Sequence, residues 1–166
     1  MNCECGLPSY NLPPHVKRDV WIVELFPHVD KQGYIHSIEP DHQKILREEF
    51  LTLGLDISRI YYNSVWKHVP GERRSKLGKE VYARCENKFF TEFYTQAVEF
   101  GAKGVLLYGS DAVKIIAGVK VSEYSSLSVD VPLLGVPVVV ACEKAGKTIG
   151  ETRLAIHRFI QKINKL

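Results

Sequence analysis

Gly104-Val-Leu-Leu-Tyr-Gly-Ser-Asp111 joins an unbroken apolar run to a glycine and then to two residues that favour helix starts. A short run without polar alternation is the pattern of a parallel strand buried on both faces. Comparable runs, each rich in Val, Ile, Leu or Tyr, occur at Val20 to Leu25, Ile60 to Val65 and Val136 to Ala141. Between and after them lie helical patterns at about Asp41 to Leu53, Glu80 to Phe100, Asp111 to Ala117, and from Glu151 to the end. Gly54, Gly101 and Gly118 each follow a helical stretch, where glycine closes a helix in the left-handed conformation. Strand alternating with helix predicts a three-layer αβα domain around a mostly parallel four-stranded sheet. Ligands of such folds collect at the carboxyl ends of the strands.

At 166 residues and 45% hydrophobic content, the chain can bury one ordinary core, and it reads as a single domain over 1–166. The net charge is only +3, yet Lys67, His68, Arg73, Arg74, Lys76 and Lys79 fall in one short stretch. A local basic loop of this kind suits a phosphate backbone. No apolar run reaches transmembrane length, and the first residues carry Cys and Pro in place of a charged and then apolar leader. A cytoplasmic, reducing compartment is therefore expected, in which cysteines ligate metals or are buried before they form disulfides. Cys3 and Cys5 open the chain, and His68 and Cys85 flank the basic loop. Soft donors distributed this way point to a metal ion or an iron-sulfur cluster, with residues 1–18 as a ligand-bearing arm.

Each predicted strand delivers polar residues at its carboxyl end. The first ends in Glu24, followed by a loop containing His28, Asp30, Gly33, Tyr34 and His36. A carboxylate there can orient or deprotonate water, or simply form an ion pair. The second ends in Asn63, whose amide offers the donor and acceptor that the edge of a nucleobase requires, or caps a loop. The third leads through Gly109 to Ser110 and Asp111, where the free N–H groups of a helix start can take a phosphate. The fourth leads into Cys142-Glu-Lys-Ala-Gly-Lys147, a loop with two positive charges, Lys144 and Lys147.

Taken together, Arg59-Ile-Tyr-Tyr-Asn-Ser-Val-Trp-Lys-His-Val-Pro70, Cys85 and Lys103-Gly-Val-Leu-Leu-Tyr-Gly-Ser-Asp-Ala112 resemble the uracil-DNA glycosylase superfamily. The resemblance runs over most of the chain and is closest to the iron-sulfur family 4 branch and to related phage, polymerase-associated proteins. In that family a strand ends in Asn and runs into a Lys-Cys-Arg-Pro loop. An N-terminal cysteine pair, the loop cysteine and a helix cysteine bind a 4Fe-4S cluster. The resemblance implies that Cys3, Cys5, His68 and Cys85 are the ligands here, with His68 in the place of the loop cysteine. Histidine ligation is chemically acceptable, as in Rieske centres, and a zinc ion on the same four residues is the competing proposal. The resemblance further implies that Glu24 orients the attacking water, that Asn63 reads the base, and that Tyr34 stacks on it.

Three departures from the family pattern stand out, the first bearing on the cluster and the other two on activity. The cysteine pair is Cys-x-Cys where two intervening residues are usual, and Val23-Glu-Leu-Phe-Pro27 is bulkier than the family's Gly-Glu-Ala-Pro-Gly. Cys142-Glu-Lys144 replaces His-Pro-Ser, whose histidine stabilises charge on the departing base. Lys144 offers a positive charge in its place, but loss of a preorganised donor commonly costs about a hundredfold or more in rate. The expected function is therefore a DNA-binding member of the superfamily in replication or repair, its excision weakened or lost. Lys67, Arg73, Arg74, Lys76, Lys79, Ser110, Lys144 and Lys147 would hold the DNA, and a DNA polymerase or other replication protein would be a partner. The alternative is an active glycosylase that flips uracil or another altered base, using Glu24, Asn63 and Lys144. A third reading, a generic nucleotide-binding α/β domain, lacks a glycine-rich phosphate fingerprint.

Overall fold

The computed structural model describes residues 18–66, 79–99, 101–118, 136–142 and 150–166. Within them lie strands β1 (Val20–Glu24), β2 (His28–Val29) and β3 (Ile35–His36), helix α1 (Pro40–Thr52) and strand β4 (Ile60–Ser64). Helix α2 (Lys79–Glu99), β5 (Gly104–Tyr108), α3 (Ser110–Ala117), β6 (Val138–Cys142) and α4 (Gly150–Asn164) follow. The four long strands form one sheet in the order β4-β1-β5-β6, every pair parallel. Helices cover both faces, so the three-layer α/β architecture read from the sequence is the one observed. No helix among the described residues is long and apolar enough to cross a membrane.

Strand alternation divides the core in two. On one face Val20, Ile22, Leu106 and Val140 pack against Leu46 and Phe50 of α1 and Ile156 and Phe159 of α4. On the other, Trp21, Val23, Leu107 and Val139 pack against Cys85, Phe89 and Phe93 of α2 and Val113 and Ile116 of α3. Gly104 lets α4 approach the sheet, because a Cβ there would lie 2.9 Å from both Ile163 Cδ1 and the Phe159 ring. Gly118 closes α3 in the left-handed conformation, its N–H donating to the Lys114 carbonyl at 3.0 Å.

Two details differ from the sequence reading. The fourth strand starts at Val138, two residues later than expected, because Pro137 has no N–H to enter the ladder. The segment after β1 is not a simple loop: β2 and β3 form an antiparallel hairpin in which His28 faces His36 and Val29 faces Ile35.

The amino ends of the strands are tied by Asp19. Its carboxylate accepts two hydrogen bonds from Arg59, both 2.9 Å, and lies 3.7 Å from Lys103 Nζ. Its carbonyl accepts from the N–H groups of Lys103 and Gly104. Burial pushes the Asp19 pKa up, but Arg59 and Lys103 outweigh it and hold the carboxyl below its ordinary value.

Candidate functional site

The chain leaves β1 for β4 on one side and returns to β5 and β6 on the other, so its direction switches between β1 and β5. The crevice at the carboxyl end of such a switch is where open α/β sheets bind ligands. Glu24 ends β1 on one side of it, and Tyr108, Gly109 and Ser110 lead out of β5 on the other.

Glu24 is fully buried. The turn through Leu25, Phe26 and Pro27 brings His28 back over it, with His28 Nε2 3.1 Å from Glu24 Oε1. The turn is fixed from the β4 side: the N–H groups of Val65 and Trp66 donate to the carbonyls of Glu24 and Leu25 at 2.9 and 2.7 Å. The parallel ladder thus continues past the last strand residues, and the backbone around Glu24 has little freedom.

Asn63 sits on the neighbouring strand, opposite Val23 and one step before Ser64, the partner of Glu24. It is 5% exposed, and its Oδ1 accepts the Ser64 N–H at 2.9 Å. Alternation places Asn63 on the α2 side of the sheet with Tyr61 and Val65, and Glu24 on the α1 side with Val20 and Ile22. The two polar residues are neighbours, yet they diverge. A shared ligand would have to approach both from beyond the strand ends.

Ser110 begins α3, but the cap is Gly109, at φ 97° and without a side-chain cap bond. Tyr34 is 69% exposed near the tip of the hairpin and makes no ring contact among the described residues. Its N–H donates to Asp30 Oδ1 at 2.9 Å, as does that of Gln32, while Asp30 Oδ2 lies 2.7 Å from His36 Nε2. The His36 contact, aided by the two amides, holds the Asp30 carboxyl below its ordinary value. Cys85 is buried in the first turns of α2. Lys79 opens that helix, its side chain outside the described set. Cys3, Cys5, Lys67, His68, Arg73, Arg74, Lys76, Lys144 and Lys147 also lie outside the described residues.

Sequence reasoning placed His28 in the loop after Glu24 and Tyr108 at the end of its strand without giving either a role, and did not single out His42. His28 is the partner of Glu24. His42 of α1 packs edge-on against Tyr108, ring centres 5.6 Å apart, with its Nδ1 3.6 Å from Glu39 Oε2. Tyr108 ends β5, one residue past Leu107, which pairs with Val23 on the adjacent strand. An available signal was Asp30 followed by Gly33, which marks a tight turn between Val29 and Tyr34-Ile35.

Trp66 links this edge to α2. Its indole N–H donates to Glu86 Oε1 at 3.1 Å, and its ring lies 4.5 Å from that of Tyr82 and 6.2 Å from that of Phe26. Among the described residues, no group of three or more His, Cys, Asp or Glu side chains is placed to hold a metal. No protein-family model matches the chain, and no curated protein matches it.

Proposed function

We propose that the chain is a DNA-binding member of the uracil-DNA glycosylase superfamily, acting in DNA replication or repair, in which base excision is weakened or lost. The observation that carries this reading is the closure of the would-be catalytic edge. Glu24 and Asn63 occupy adjacent strand ends, as water-orienting and base-reading residues would, yet both are buried. The Asn63 acceptor is engaged by its own backbone neighbour, and the Glu24 carboxylate is covered by His28. Leu25 and Pro27, where the family has Ala and Gly, belong to the turn that carries this cover. The basic stretch Lys67 to Lys79, with Ser110, Lys144 and Lys147, would hold the DNA backbone.

One observation favours the second reading, an active glycosylase. A carboxylate at the switch crevice with an imidazole 3.1 Å away is a pair able to hold and polarise a water. In that case Glu24 orients the water, Asn63 reads the flipped base and Lys144 supplies positive charge.

The same reading places a 4Fe-4S cluster, or alternatively zinc, on Cys3, Cys5, His68 and Cys85. Of this ligand set the described residues include Cys85 alone. Trp66 lies two residues before His68 and is clamped by Tyr82 and Glu86, which flank Cys85 on α2. The route from β4 towards His68 therefore starts beside Cys85. When bound, the group would supply a covalent tie between the arm, the basic loop and α2. A DNA polymerase or other replication protein remains the proposed protein partner, and the cytoplasm the proposed compartment.

The test is incubation of the purified protein with labelled single- and double-stranded oligonucleotides carrying one uracil, followed by hot alkali, beside a binding assay. Salt-sensitive binding with intact strands supports the proposal. Uracil-dependent breaks that vanish in Glu24→Ala overturn it in favour of the active enzyme. Iron, sulfide and zinc analysis of the same preparation decides between the two metal groups.

A further inference from the structure

Helix α1 turns Leu46 and Phe50 into the core. Pro40, Lys44, Arg47 and Leu51 follow one another along a different side, at the spacing that stacks residues of successive turns. With Glu48 they line a surface groove of about 410 Å³, to which β3 contributes His36. Lys44, Arg47, Glu48 and Leu51 are all exposed, Leu51 by 54%. Away from the groove, α1 pairs its charges: Glu49 accepts from Arg153 at 2.7 Å, and Glu39 lies 3.6 Å from His42. Lys44 and Arg47 form no ion pair among the described residues, although Glu48 stands one turn beyond Lys44.

The chemistry of the groove selects its occupant. Small-molecule sites enclose most of their ligand, whereas the outer side of this groove is open where its four exposed residues stand. A nucleic-acid strand gains from cations interleaved with aromatic faces. This groove contains an acid, Glu48, and, among the described residues, no ring but that of His36, whose Nε2 is engaged by Asp30 at 2.7 Å. One exposed leucine is ordinary on any surface. Here, however, Pro40 and Leu51 bracket two uncompensated cations, and the aliphatic stems of Lys44 and Arg47 continue the apolar floor between them. The complement is a pair of carboxylates bracketed by apolar side chains. A helix laid along α1 advances by the same rise per residue, so it can present that pattern in step with all four positions.

We propose that the α1 groove docks an acidic amphipathic helix of a partner protein, its carboxylates on Lys44 and Arg47 and its apolar side chains on Pro40 and Leu51. The planar guanidinium of Arg47 suits a carboxylate in paired hydrogen bonds, and Lys44 adds a point charge one turn away. The proposal does not depend on the DNA-binding reading, since no residue of the groove belongs to the set proposed to hold DNA.

The test follows backbone amide signals by NMR in the full chain: wild type, the double variant Lys44→Glu/Arg47→Glu, and Leu51→Ser. All three positions are exposed, and unchanged amide signals in β1 and β5 verify that the variants keep the fold. The probes are a synthetic helix with glutamates bracketed by leucines, the same helix with lysines in place of the glutamates, and a single-stranded oligonucleotide. The glutamate helix should shift the amides from Gln43 to Leu51 of the wild type. Its affinity should fall on the order of tenfold in the double variant, which should in turn gain affinity for the lysine helix. Leu51→Ser should weaken the glutamate helix by a smaller factor. Amides that stay unmoved by the glutamate helix, or that move equally in the double variant, overturn the proposal. Shifts caused by the oligonucleotide and not by the glutamate helix overturn it in favour of a nucleic-acid contact on α1, and leave the DNA-binding reading standing.

Discussion

The two ends of the sheet are built on opposite plans. At the amino ends, Asp19 is shared among Arg59, Lys103 and two backbone amides, and Gly104 admits the side chains of α4 without a gap. At the carboxyl ends, a buried carboxylate faces a histidine, an asparagine is folded onto its own backbone, and a second histidine rests edge-on against a tyrosine. One end closes charges against partners and contributes stability. The other collects groups able to exchange protons and hydrogen bonds at the place where ligands of such sheets bind. Proteins commonly give up stability at a functional edge and recover it elsewhere.

Substitutions at the two ends should separate these roles. The largest loss of stability belongs to Gly104→Ala, which forces Phe159 and Ile163 to move and lowers the unfolding free energy by about 2 kcal/mol in urea titration. Any DNA binding should be unaffected at fully native temperatures. Asp19→Asn should lower stability by about 1 kcal/mol at neutral pH, because hydrogen bonds to charged groups are weakened at a partly exposed site. The pH dependence has a definite sign. The folded Asp19 pKa lies below its ordinary value of 3.8, so its contribution is complete above that value and is lost as pH falls through the folded one. The variant should therefore show a flatter acid limb in thermal melts between pH 5 and 2, approximate limits set by that pKa range.

At the carboxyl end the pattern reverses. Glu24→Gln, which keeps the shape of a buried side chain and removes its charge, should change stability by no more than about 0.5 kcal/mol. Any uracil excision by the wild type should fall by about two orders of magnitude. A large destabilisation by Glu24→Gln would erase the proposed distinction between the two ends. The smallest effect is expected from Asp30→Ala. Hydrogen exchange at the amides of Gln32 and Tyr34 should accelerate, while the global melting midpoint stays in place, because the hairpin is only a two-residue ladder at the rim.

The four sheet strands were legible because residues buried on both faces leave uninterrupted apolar runs, and the helices because their glycine stops are local signals. Gly104–Tyr108 is found at the expected bounds, while Pro137 displaces the start of β6 in a way the apolar count alone does not register. The hairpin was not legible by periodicity, since strands of two residues have none. At the candidate site, residue types were visible and directions were not. Glu24 and Asn63 each stood out as polar residues at the end of an apolar run, but their divergence depends on the register Val23 to Asn63. The Glu24–His28 contact depends on a non-helical turn, which leaves no spacing signature in the chain.

The placement of the two tryptophans makes the molecule its own optical probe. Trp21 is sealed in the core with Tyr61 and Phe93 at ring distances of 5.0 and 5.2 Å, so its emission changes only when the sheet and α2 separate. Trp66 stands at the end of β4, immediately before the basic stretch, with its indole tethered to Glu86. A red shift from Trp21 would read global unfolding, and quenching of Trp66 would read events at the loop, whether ligation, release or strand engagement. Replacing one or the other with phenylalanine would give two single-channel versions of the same protein, able to time these events separately in one stopped-flow experiment.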